Sequence, residues 1–110
     1  MNVKELAEKG SFTVLNIADG GREVGKVFCC DLLSIAMGKA PMGCAWVTVM
    51  ANINTLAVAS LADASVVVLA EGSMLDEAAL AKAKQQEINV LAVKEPIFDT
   101  GLRIMELMNG

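Results

Sequence analysis

The chain has no histidine and no tyrosine, and its aromatic content is only 4% of 110 residues. The first absence removes the commonest general base and the second a common acid, so acid–base and nucleophilic catalysis have few groups to work with. Basic clusters are also missing, and the formal net charge is −4. A nucleic-acid binder needs concentrated Lys and Arg to displace phosphate counterions, so nucleic acid is a poor partner for this chain. No window reaches about 20 uninterrupted apolar residues; the run Thr55–Ala70 is broken by Asp63, which argues against a membrane partner. The three cysteines, Cys29, Cys30 and Cys44, are odd in number and two are adjacent. That is no disulfide framework, and reduced, buried thiols are expected. With histidine absent, a metal or redox site on these thiols lacks its fourth ligand, so no metal and no cofactor is expected. The opening segment MNVKELAEKG is charged and helical rather than signal-like, which implies the cytoplasm.

What the chain does have is apolar bulk. Hydrophobic residues make up 55% of it, against about 45–50% in ordinary soluble domains. With so few rings, Val, Leu, Ile, Ala and the seven methionines must fill the core, and Met packs adaptably. A chain of this length is one domain, residues 1–110, and its apolar excess exceeds what one small core needs. A self-associating surface accounts for that excess, so a homodimer is expected.

The central stretch predicts a strand–helix–strand unit. Ala45–Val49 is β-branched and apolar, Asn52–Asp63 has helical spacing, and Val66–Leu69 is a short unbroken apolar run. Such a run suits a strand covered on both faces, as in a parallel sheet. A helix capped by Ser73 or Asp76 follows and runs to about Glu87, then a strand Ile88–Val93. Pro96 opens a last helix to about Met108, with Ile97, Leu102, Met105 and Met108 among its apolar positions. The second half therefore reads β-α-β-α-β-α, three βα units of a largely parallel sheet in an α/β fold. Upstream, Asn2 can cap a helix Val3–Lys9 that Gly10 stops. A strand Ser11–Ile17, a turn at Asp19-Gly20-Gly21 and a strand Val24–Cys30 come next, with Gly25 marking a bulge or a close backbone approach. Asp31 can cap a helix Leu32–Met37 that Gly38 ends.

Gly20 to Lys26 fits the spacing G-x-x-x-x-G-K of a phosphate-binding loop, but Val27 stands where a hydroxyl should hold magnesium. The residues after it also read as strand rather than helix. The pattern is therefore a glycine-rich turn with Arg22 and Lys26 exposed. Alternation along a strand points Cys29 and Cys30 to opposite faces. The carboxylates Asp19, Glu23, Asp31, Asp63 and Glu71 could pair in space, but read first as caps or solvent-facing groups. Trp46 reads as a core residue, with a dimer anchor as the alternative. A binding site has a better basis: in open α/β sheets ligands sit beyond the carboxyl ends of parallel strands, at helix N-termini. Those ends are Met50–Asn54, Ala70–Ser73 and Lys94-Glu95, where Asn52 and Asn54 can either cap the central helix or bind a polar ligand.

Two groups of residues resemble a known family. Asp19-Gly20-Gly21-Arg22-Glu23-Val24-Gly25, then Cys30-Asp31-Leu32-Leu33-Ser34 with Met37-Gly38, resembles the opening half of a DRTGG domain. Trp46-Val47-Thr48, Asn54 with Ala57-Val58-Ala59-Ser60, and Glu71-Gly72 after an apolar strand resemble its second half. The resemblance implies a layered α/β/α fold like the N-terminal domain of HPr kinase/phosphorylase, and a regulatory or self-associating role with no established reaction. Family members occur inside CBS-domain pyrophosphatases, in some phosphate acetyltransferases and as free-standing proteins, which makes a co-expressed enzyme a candidate partner. The family commonly carries Gln and His where Met50 and Asn52 stand, whereas Thr48 and Asn54 match. The leading expectation is a non-catalytic regulatory and self-association module. The alternative is a sensor for a small anionic ligand such as an adenine nucleotide, held by Thr48, Asn52, Asn54, Glu71 and Gly72, with Asp19, Gly20, Gly21, Arg22 and Asp31 as the family-motif loop. A phosphotransfer or hydrolytic enzyme is the third reading.

Overall fold

Three continuously apolar segments form the middle of the sheet because only a position covered on both faces keeps such runs from water. They are β3 (Cys44–Thr48), β4 (Val66–Leu69) and β5 (Val90–Ala92), and every residue in them is buried. The computed structural model describes Met1 to Gly110 and adds β1 (Thr13–Asn16) and β2 (Lys26–Cys29) as the two half-exposed edges. The sheet order is β1-β5-β4-β3-β2. Strands β2 to β5 are mutually parallel and β1 runs antiparallel to β5. Val47 pairs with Val68, and Val68 with Leu91, so the three βα units expected in the second half are present. The β2–α2–β3 connection, with α2 at Leu33–Lys39, is a further parallel crossover.

Strands laid side by side in chain order send their crossovers over the same face. Helices α2, α3 (Ile53–Ala62) and α4 (Glu77–Gln85) accordingly share one layer, where Ala36, Leu56, Ala59, Ala79 and Ala83 pack with Trp46, Val67, Leu69 and Val90. The opposite face is covered by α1 (Val3–Lys9) and α5 (Ile97–Asn109), whose Val3, Leu6 and Ile104 meet Val47, Val66, Val68 and Leu91. This is an α/β/α sandwich. Trp46 is fully buried in the first layer and its indole N–H donates to the Cys30 carbonyl at 2.9 Å.

Local chemistry explains most helix starts. Asn2 accepts from the Glu5 amide at 2.8 Å while the Glu5 carboxylate accepts from the Asn2 amide, a reciprocal capping box that holds the Glu5 acid below its usual range. Asn52 and Asp76 cap α3 and α4 as expected. Two expectations fail. Asp31 does not cap α2, because its carboxylate is taken by β3; the cap position is Leu32, without a side-chain bond. Gly38 does not end α2, which continues to Lys39 because the packing of Leu33, Ala36 and Ala40 outweighs one glycine's propensity cost. Of the two readings of Gly25, a bulge or a close approach, the structure shows the second, its amide donating to the Gly43 carbonyl at 2.9 Å. A register irregularity lies in β1, between Val14 and Asn16.

At the amino ends of the strands Asn89, 2% exposed, ties three segments together. Its Oδ1 accepts from the Ala18 and Asp19 amides, and its Nδ2 donates to the Asp19 and Ser65 carbonyls, all within 2.8–2.9 Å. Asn89→Ala is expected to destabilise the fold by about 3 kcal/mol because four backbone groups lose their partner. Urea unfolding measures this, and a loss below about 0.5 kcal/mol would show that solvent replaces the amide.

Candidate functional site

The carboxyl ends of β2 and β3 are joined by one carboxylate. Thr48, fully buried at the end of β3, donates its hydroxyl to Asp31 Oδ1 at 2.7 Å, and the Val49 amide donates to the same oxygen at 2.9 Å. The Thr48 hydroxyl also accepts from the Met50 amide at 3.2 Å. Next along the chain, Asn52 Oδ1 accepts from the Asn54 and Thr55 amides at 2.9 and 3.1 Å. The first donors of α3 are thereby occupied, while the Asn54 side chain stands in solvent. Across to β4, the Ala70 amide donates to the Thr48 carbonyl at 2.9 Å. Glu71 and Gly72 follow with φ of +58° and +75°, and their amides donate to the Glu95 and Val93 carbonyls, both at 2.9 Å.

The expected ligand residues thus fall into two groups. Thr48, Asn52 and Asn54 gather with Asp31 at the β2–β3 side, where no cavity opens. Gly72 instead lines a cavity of about 220 Å³ with Thr13, Met74, Ala92, Val93 and Lys94. This is where the loops leaving neighbouring strands part company, β4 leading to α4 on one face and β5 to α5 on the other. Such a divergence is where open α/β sheets form their ligand crevices.

The motif loop lies at the other end of the sheet and acts as a clamp, in which Lys26 is exposed as expected but Arg22 is half-buried because its guanidinium is drawn onto the end of α3. The Arg22 guanidinium donates to the Asp63 and Ala64 carbonyls, both at 3.1 Å, and pairs with the Asp63 carboxylate at 3.0 Å. It closes the C-terminus of α3, where Asp63 takes the left-handed conformation. Asp19 Oδ1 accepts from the Gly21 amide, and the Gly20 carbonyl accepts from the Lys4 amide. Lys26 opens a strand, not a helix, so the phosphate-loop spacing corresponds to no phosphate cradle. Asp31, the remaining motif residue, is the one that reaches the candidate site.

The thiols are dispersed and only one is buried as expected: Cys44 is buried, Cys30 half-buried, and Cys29, on an edge strand, exposed. Cys30 packs under α2 and Cys29 faces α5, on opposite sides of β2 as alternation requires. Burial, and then the Asp31 charge, push the Cys29 thiol up, and burial pushes Cys44 up to about 11. Neither is a poised nucleophile at neutral pH.

One surface was missed by sequence reasoning. Helix α5 turns Thr100, Gly101 and Ile104 inward, leaving Phe98 73%, Leu102 46% and Met105 50% exposed. With Val27, Cys29 and Gly101 these three line the largest cavity, about 300 Å³, beside the β2 edge. The spacing of positions 98, 102 and 105 is one helix face and was readable; which face meets the sheet was not. Close approach decides it, since a Cβ on Gly101 would stand 2.8 Å from Cys29 Sγ.

No family model and no curated protein sequence matches the chain. Among solved structures it resembles the CBS and DRTGG domains of the regulatory region of Clostridium perfringens pyrophosphatase, a structure complexed with the activator diadenosine tetraphosphate. The TM-score is 0.75 at 16% identity, over 94% of this chain and 45% of that one. The chain thus spans less than half of that regulatory region, and the two share a fold.

Asp31→Ala is expected to cost about 1–2 kcal/mol, because a buried hydroxyl and an amide lose their acceptor. Asp31→Asn, which keeps Oδ1, should recover most of it. Equal losses in the two variants, measured by denaturant unfolding, would refute this role for the Oδ1 acceptor.

Proposed function

We propose that this chain is a non-catalytic regulatory module of the DRTGG type that works by associating with a second copy of itself. The observation that carries the reading is the exposed apolar band on α5 and the neighbouring β2 edge. Exposed apolar residues are ordinary when scattered, but side by side around a cavity they mark a surface that another surface covers. The likeness in fold to the regulatory region of a pyrophosphatase agrees with this reading. In sedimentation equilibrium at micromolar concentration the protein is expected at twice its 11.5 kDa chain mass. A monomer that persists to hundreds of micromolar would overturn the reading.

A second reading is favoured by a separate observation, the crevice where the β4 and β5 loops diverge. There Lys94 supplies a cation and Gly72 leaves the approach open, which suits a small anion. The similar regulatory region was crystallised with diadenosine tetraphosphate, making adenine nucleotides the first ligands to try. Under this reading a nucleotide at 100 times its dissociation constant stabilises the fold by about 2.7 kcal/mol, and Lys94→Ala weakens the effect. A thermal-shift series with diadenosine tetraphosphate, ATP and AMP that moves no transition would eliminate it.

A further inference from the structure

Strand β2 has a hydrogen-bonding neighbour, β3, on one side only. An open edge is a template for another strand, and proteins ordinarily guard such edges with bulges, prolines or inward charges. The far edge of this sheet is guarded: β1 carries a bulge between Val14 and Asn16, and the Asn16 amide group donates across to the Ile88 carbonyl at 2.8 Å. The β2 edge has no bulge or proline, and its one charge is Lys26 at the start of the strand. Its sequence Lys26-Val-Phe-Cys29 contains no proline and pairs with β3 in unbroken register.

The surroundings of this edge are apolar on both sides of the sheet. On one side lie the cavity and the exposed Phe98, Leu102 and Met105 of α5. On the other, Leu32 and Ile35, in the turn and helix that follow β2, are 54% and 46% exposed. The charges lie at the ends, with Lys26 beginning the strand and Asp31, one of whose carboxylate oxygens is held by Thr48 and Val49, just past its last residue. Antiparallel pairing of two such strands sets Lys26 of each beside the Asp31 end of the other, while parallel pairing sets like charges together. The edge is therefore complementary to itself, as a two-fold interface requires.

We propose that the β2 edge and the apolar side of α5 form the interface of a symmetric homodimer, in which the β2 strands of two copies pair antiparallel and join the sheets into one of ten strands. This rests on the self-association reading above and assigns it a face. An interface of standard size takes about 800 Å² from each partner, about one-seventh of the 5605 Å² exposed by this chain.

With the side chains of paired residues on the same side of the sheet, a two-fold centred on Phe28 sets position 27 opposite position 29 of the second copy. Val27→Cys, under mild oxidation, is then expected to give a covalent dimer through the native Cys29, seen on a non-reducing gel and lost when Cys29→Ser is added. Phe98→Glu with Met105→Glu is expected to weaken dimerisation at least 100-fold in sedimentation equilibrium. Leu61→Glu, on the exposed side of α3, should leave it unchanged. If the parent dimerises but the α5 variants keep its dissociation constant and Val27→Cys gives no covalent dimer, this interface is wrong and self-association stands. A monomeric parent overturns both.

Discussion

Four parallel strands laid down in chain order constrain everything else in this molecule. Because β2, β3, β4 and β5 are spatial neighbours as well as sequence neighbours, their three connecting helices share one face. The other face is left to the chain ends, and α1 and α5 are one of the two layers rather than appendages. The polar links reflect that duty. Val3 and Lys4 donate to the Arg22 and Gly20 carbonyls, and Val24 donates back to Met1. Arg103 on α5 pairs with Glu95, reaches the Gly10 carbonyl at the end of α1, and lies 4.4 Å from the centre of the Phe12 ring. One guanidinium thus joins both terminal helices, and its planar fork suits the task better than an ammonium would.

The two ends of the sheet divide their tasks. At the amino ends, Arg22 and Asn89 spend their hydrogen bonds on backbone carbonyls and amides, so the glycine-rich motif serves architecture. At the carboxyl ends, Asp31 and Thr48 satisfy one another, and Asn52 satisfies α3. Each buried side-chain nitrogen and oxygen has a partner. A residue type that looks suited to a ligand can be consumed by the fold, and for most of the polar positions singled out in this chain that is the outcome.

How much the sequence discloses depends on the range of the physics involved. The buried strands were readable because burial on both faces leaves an unbroken apolar run such as Val66–Leu69. Caps at Asn2, Asn52 and Asp76 were readable because the donor lies two or three residues from the acceptor. Asp31 was misread as a cap for the same reason: a local rule cannot see that a hydroxyl 17 residues away competes for the carboxylate. The orientation of α5 was hidden because Ile104 and Leu102 are equally apolar, and only the close packing at Gly101 selects which faces inward. The lone Asn89 in the apolar run that leads into β5 is a visible signal, since a buried polar residue there requires partners.

The balance between satisfied polar groups and unsatisfied apolar surface bears on what this fold is suited to do. The helix-start amide of Asn2 holds the Glu5 acid low, and burial raises the Cys29 and Cys44 thiols, each explained by its structural setting. Exposed apolar side chains such as Val14, Met42, Leu61 and Met74 are spread over the surface, whereas Phe98, Leu102 and Met105 stand together beside the β2 edge. Covering such a surface releases free energy roughly in proportion to area, without demanding directional partners. The strand order places β2 at the end of the parallel run with a neighbour on one side only, so the sheet remains open there.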